Sequence, residues 1–139
     1  MGRLTLDDPI RCAGKITFIE GSTDAGMFFG FFRKEDEQAV LGPNKPGDAS
    51  GWPQANTLGV QVDGPARIGW WFIPVVTASD RKLSRKVDDT IFLPTRAHRA
   101  FDFVYDPQAN KGVGRVTVTL DGEPPFTLDL SSEQGRRNV

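Results

Sequence analysis

The fold class predicted from the sequence is all-β, an antiparallel β-sandwich, and three observations carry it. Apolar and polar residues alternate over short runs, which is the period of a half-buried strand. Turn-forming residues punctuate the whole chain, with 15 glycines and 10 prolines. No stretch has the spacing of a long amphipathic helix. About seven or eight short strands spaced in this way make a sandwich or a barrel. At 139 residues the chain fits one domain over 1–139, large enough to bury a core without a disulfide or metal staple.

The elements follow in order. Ala13 to Glu20, AGKITFIE, alternates Ile16 and Phe18 with Lys15 and Thr17. After the turn at Gly21-Ser22-Thr23-Asp24 comes Ala25 to Arg33, AGMFFGFFR, aromatic at both parities. Such a strand is covered on both faces or presents one as a binding surface. Residues 34–56 are polar and broken by proline and glycine, so they read as a long loop rather than a helix. Thr57 to Asp63 places Leu58, Val60 and Val62 on one face and Gly59, Gln61 and Asp63 on the other. Asp63-Gly64-Pro65 is a hairpin signal, with Ala66 to Val76 as the partner strand, and Pro74 is expected to end pairing or to sit at an edge. Residues 79–97 are charged and irregular, with a short helical turn suggested by Leu83 and Val87. Arg99 to Tyr105, the turn DPQANKGVG, Arg115 to Leu120 and Phe126 to Leu130 complete the strands. Residues 131–139 read as a frayed polar tail. The expected core is Phe18, Phe29, Phe31, Val60, Val62, Trp70, Phe72, Phe101, Phe103, Tyr105, Val116, Val118 and Leu120.

Composition narrows the function. A net charge of −1 argues against a general grip on nucleic acid, which needs a basic stripe. The basic run Arg81, Lys82, Arg85 and Lys86 is bracketed by Asp80, Asp88 and Asp89 and reads as a solvated loop. Cys12 is the only cysteine, so an intrachain disulfide and a multi-cysteine zinc site are excluded; the residue reads as small and partly buried. His98 is the only histidine, and any Ser-His-Asp relay would have to use it. The longest apolar run, Ile68 to Val76, is far short of the ~20 residues a spanning helix needs. The N-terminal residues lack the apolar region of a signal peptide.

Residues 101–122, FDFVYDPQANKGVGRVTVTLDG, resemble a hairpin of the concanavalin A-like lectin/glucanase superfamily. There a strand ending in Tyr-Asp-Pro is followed by a glycine-containing loop and a strand ending in Asp-Gly. AGMFFGFF at 25–32 and WPQANTLGVQVDG at 52–64 are similar to segments of bacterial laminin G-like domains. The resemblance covers about residues 13–130 and implies a jelly roll, a lectin-like binding role and an extracytoplasmic location. The chain is short for the group. The closing strands that usually pair with the N-terminal one are not visible, which suggests a compact variant or a piece of a longer polypeptide.

The glucanases of that superfamily use Glu-x-Asp-x-(x)-Glu on one strand, spacing two carboxylates for retaining hydrolysis. Nothing here matches. Glu35-Asp36-Glu37 lies in a turn-like loop, and Asp102 has no acidic neighbour two residues away. The chain therefore reads as non-catalytic. Asp7-Asp8, Asp106 with Asn110, and Asp88-Asp89 read as turn or surface chemistry, so no metal and no cofactor are expected. Sugar rings stack on flat aromatic faces and bond to amides, carboxylates and guanidinium groups. Strand alternation separates Trp70 from Trp71, leaving Trp71 with Arg67 and Gly69 opposite the apolar set. If this face joins those of Gly59, Gln61 and Asp63, of Phe28, Gly30 and Phe32, and of Ala100, Asp102 and Val104, a groove results. Its ligand-binding residues would be Trp71, Arg67, Gln61 and Asp102, with Trp52 at the rim. The alternatives are that Trp71 packs beneath a loop and Trp52 plugs the sandwich end. The function expected is carbohydrate binding, and the alternative is a structural or protein-interaction module bound to a partner domain or protein.

Overall fold

The structure is a computed structural model that describes residues 5–19, 26–32, 56–66, 69–77, 83–85, 96–121 and 123–131; at 26–27, 32, 63–66, 69–71 and 83–85 it describes the backbone alone. The expected loop 34–55 and tail 132–139 lie outside the described residues. The described strands are β1 (Ile10–Thr17), β2 (Gly26–Phe32), β3 (Thr57–Ala66), β4 (Gly69–Thr77), β5 (Leu83–Arg85), β6 (His98–Asp106), β7 (Arg115–Leu120) and β8 (Phe126–Asp129). They form two four-stranded antiparallel sheets, β1-β6-β7-β8 and β2-β3-β4-β5. The all-β sandwich is therefore present.

Strands stand side by side in chain order within each sheet, with the second sheet inserted between β1 and β6. A jelly roll is built from Greek-key connections that bring distant strands together. Here that happens once, where β1 meets β6, so the strand order carries the sandwich but not the finer jelly-roll assignment.

Period-two alternation decides which residues form the core. In the first sheet Phe101, Phe103 and Tyr105 of β6 and Val116, Val118 and Leu120 of β7 face inward; in the second, Phe29, Phe31, Leu58, Val60, Val62, Phe72 and Val76 do so. The two sets meet through rings: Phe29 lies 5.3 Å from Phe101, Phe31 5.9 Å from Phe103, and Phe72 6.1 Å from Phe101. Phe18 closes one end, edge-on to Phe72. Of the expected core residues, nine are buried, while Phe29, Phe31 and Phe101 are partly buried and packed against them. The side chain of Trp70 lies outside the description.

Four expectations are corrected. The first strand starts at Ile10 rather than Ala13, because its pairing with β6 begins at Ile10↔Tyr105. Asp63-Gly64-Pro65 is not the hairpin tip: β3 runs on to Ala66, which pairs with Gly69 after a register shift, so the segment forms a bulge-like irregularity that displaces the turn. Pairing with β3 also passes through Pro74 to Thr77. On its other side β4 pairs with β5 only from Val75, so the missing N–H interrupts no ladder there. Finally, Leu83–Arg85 is a strand rather than a helical turn. Its three residues show no period of their own and are recruited by β4.

The β6–β7 connection is locally determined. The Asp106 Oδ1 accepts a hydrogen bond from the Gln108 N–H at 2.8 Å, the Asx pattern expected of Asp-Pro turns. Asn110 and Lys111 adopt left-handed backbone, with φ of 52° and 58°. The Asn110 amide donates to the Leu130 carbonyl at 2.9 Å, tying the loop to the end of β8. Gly114 (φ 112°) has the Tyr105 ring where a Cβ would stand, 2.9 Å from Cε2, and that tyrosine hydroxyl donates to the Leu6 carbonyl at 3.0 Å. No helix among the described residues is long and apolar enough to cross a membrane.

Phe103, 2% exposed, packs between the sheets. Phe103→Ala is expected to lower stability by about 3–5 kcal/mol, measured by urea unfolding. A loss below about 1 kcal/mol would mean that the faces of β6 are reversed.

Candidate functional site

The two outer faces differ in chemistry. That of the first sheet is polar and open. Alternation opposite the core set places Arg11, Ala13, Lys15 and Thr17 of β1 there, with His98, Ala100, Asp102 and Val104 of β6 and Thr117 and Thr119 of β7. Arg11 clamps Asp102 through Nε and Nη2, the latter at 2.8 Å. Arg115 and Asp129 form a directly opposed cross-strand pair. His98 Nδ1 lies 2.6 Å from the hydroxyl of Thr17, its register partner. At the sheet end, Arg99 bonds to Glu123 at 2.8 Å and to the Asp121 carbonyl, bracing the turn before β8. Asp102, Glu123 and Asp129 are thus each held by an arginine.

The outer face of the second sheet is apolar and largely buried. Rows run across the strands as Phe28–Gln61–Ile73 and Gly30–Gly59–Val75. Gly30 and Gly59 stand opposite each other because the strands approach too closely for side chains. A Cβ on Gly59 would lie 2.4 Å from the Phe29 carbonyl oxygen and 2.8 Å from Phe28 Cζ; one on Gly30 would lie 2.4 Å from the Leu58 oxygen. An aromatic ring over a strand glycine covers backbone that the glycine leaves bare. At the end of the face the Thr57 and Thr77 hydroxyls share a buried 2.6 Å hydrogen bond. The next row pairs Asp63 with Trp71.

The expected groove is therefore divided. Gln61 and Trp71 belong to adjoining rows of one sheet, with Gly30 and Gly59 beside Gln61 as anticipated. Asp102 does not join them: Phe101 and Phe103 on either side of it face the second sheet, so alternation sends Asp102 to the far side of the sandwich. The face is also closed at its centre, since Gln61 is 4% and Val75 0% exposed, while Gly30 at its β2 margin is exposed. Arg67 and Trp52 lie outside the described residues, as does the Trp71 side chain. Asp106 and Asn110 are engaged in the turn described above. Among the described residues no three His, Cys, Asp or Glu side chains gather as a metal would require.

Sequence reasoning placed Cys12 as partly buried, but it is exposed. It has the core-side parity of β1, opposite Phe103, yet Arg11 to Lys15 are all exposed. The margin of the first sheet extends past its cover. No protein-family model, curated protein or solved structure matches the chain.

The Arg115 guanidinium, hydrogen-bonded to Asp129, holds that carboxyl below its ordinary value. Hydrogen bonds from the Thr5 backbone N–H and hydroxyl do the same for Asp8. A carboxylate with a depressed folded-state value adds stability above its unfolded value of about 3.9, and that stability is lost as pH falls through the lower folded value. Asp129→Asn is accordingly expected to lose less stability than wild type between about pH 5 and about pH 3, read from urea midpoints. Parallel losses would contradict the pairing.

Proposed function

We propose that the chain is a non-catalytic binding domain for carbohydrate, with the ligand at the β2 margin of the second sheet's outer face. The observation that carries this reading is the facing pair Gly30 and Gly59 beside Phe28. The Phe28 ring lies against buried Gly59 while Gly30 stays exposed at the margin, which sets an aromatic ring beside bare backbone, with Gln61 and Trp71 in the rows that follow. A pyranose ring needs such a combination: a flat apolar surface for its C–H face and a few polar groups for its hydroxyls. The resemblance of residues 101–122 to the concanavalin A-like superfamily, laminin G-like domains included, supports the same reading. So does the engagement of Asp102, Glu123 and Asp129 with arginines, which leaves these carboxylates structural partners rather than an acid–base pair.

A second reading, a protein-interaction module, is favoured by a separate observation. The margin of β1 is exposed along Arg11 to Lys15, and Ile19 beyond it is 60% exposed. Unprotected strand edges pair with other chains.

A glycan array followed by titration of the best ligand tests the first reading. Wild type is expected to retain at least one glycan, and Trp71→Ala to weaken it by about tenfold with the melting temperature unchanged. No glycan retained by the wild type would overturn it.

A further inference from the structure

We propose that the outer edge of β1 docks an added antiparallel strand from a partner polypeptide, acidic at the two positions opposite Arg11 and Lys15 and apolar opposite Cys12, Gly14 and Ile16. The inference rests on the second reading above and gives it a partner chemistry. Among the described residues four strands bound the two sheets: β1, β8, β2 and β5. β5 has three residues, and β8 has four and follows Pro124-Pro125. β2 has seven residues, and neither parity of its aromatic sequence carries a charge. β1 has eight, contains no proline, and keeps unbroken register with β6 from Ile10 to Thr17. Short strands and prolines blunt sheet edges, and β1 has neither; its edge is guarded only by the charges of Arg11 and Lys15, which oppose a strand that does not complement them. Strand addition to such an edge is a general mode of peptide recognition.

Chemistry along the edge selects the partner. Arg11 and Lys15 share the outer face, four residues apart. The Arg11 side chain is 69% exposed. It uses Nε and Nη2 on Asp102, and its planar fork keeps Nη1 for an acceptor across the edge. A second copy of β1 is disfavoured by the same charges. Antiparallel self-pairing that keeps the core face continuous sets Arg11 directly against the copy's lysine when centred on Ala13. Centred on Cys12 or Gly14, it leaves the cations diagonal, and like charges so placed repel. On the core side, Gly14 lies against the Phe101 ring, where a Cβ would be 3.0 Å from Cε1. A large side chain opposite Gly14 would cover that ring, and apolar ones would cover Cys12 and Ile16.

The complementary strand, read from its N-terminus, is apolar, acidic, large apolar, any, apolar, acidic, apolar. A synthetic peptide with the core Val-Glu-Phe-Thr-Val-Glu-Val is the probe, and the same peptide with lysine for both glutamates is the control. At about 1 mM the glutamate peptide is expected to slow amide hydrogen exchange within residues 10–17. Lys15→Glu is expected to weaken it roughly tenfold and to abolish the preference for it over the lysine peptide, with the melting temperature unchanged. Equal affinity of wild type for both peptides, or no protection of residues 10–17, would overturn the proposal. Concentration-dependent protection of the same residues without peptide would assign the edge to a second copy and overturn it as well. Protection confined to other strands would overturn the edge while leaving the interaction-module reading, and glycan retention by the same samples reads the first function independently.

Discussion

The contact between the two inward aromatic rows is the constraint on which the rest depends. Phe29, Phe31 and Phe72 come from one sheet and Phe101 and Phe103 from the other, with ring centroids 5.3 to 6.1 Å apart across the interface. Neither sheet buries an apolar face alone. The chain visits the second sheet between β1 and β6, so the β1–β6 pairing joins segments separated by all the strands of the second sheet. Offset and edge-to-face ring pairs are specific in geometry as well as favourable, and this contact sets how the sheets lie on one another. The outer faces follow by alternation: whatever neighbours Phe101 and Phe103 must point away.

That constraint also produces the chemical asymmetry. The first sheet turns outward arginine–aspartate pairs, threonines and a histidine, a face stable in water. The second turns outward Ile73, Val75 and Gln61, all buried. A sheet buried on both faces at its centre is open only at its margins, and the exposed Gly30 beside Phe28 is such a margin. β1 is the complementary case: it is tied to β6 by eight register pairs yet extends past the core, which leaves Cys12 and Gly14 exposed despite their core-side parity.

Much of the architecture was legible because alternation is a local signal. β7 was read residue for residue, and β6 and β8 to within one residue at the ends that differ. What was not legible depended on contacts distant in the chain. Leu83–Arg85 is a strand only because β4 offers an edge to it. Ile10 and Arg11 are strand only because β6 lies beside them. Asp63-Gly64-Pro65 has turn chemistry, but the register of β4 shifts the turn past it. The same distinction explains the site. That Gln61 shares a face with Gly59, and Asp102 with Ala100, could be read within single strands. Whether those two faces join requires knowing which sheet each strand enters, and periodicity carries no such information. Trp71 and Gln61 occupy one sheet; Asp102 occupies the other.

The inter-sheet ring contact is tested most directly by a double-mutant cycle on Phe29 and Phe101, with Phe29→Ala, Phe101→Ala and the double variant compared by urea unfolding. The expected coupling is about 0.5–1.5 kcal/mol, as for an aromatic pair in contact. Additivity within about 0.3 kcal/mol would contradict the packing of these two sheets through these faces.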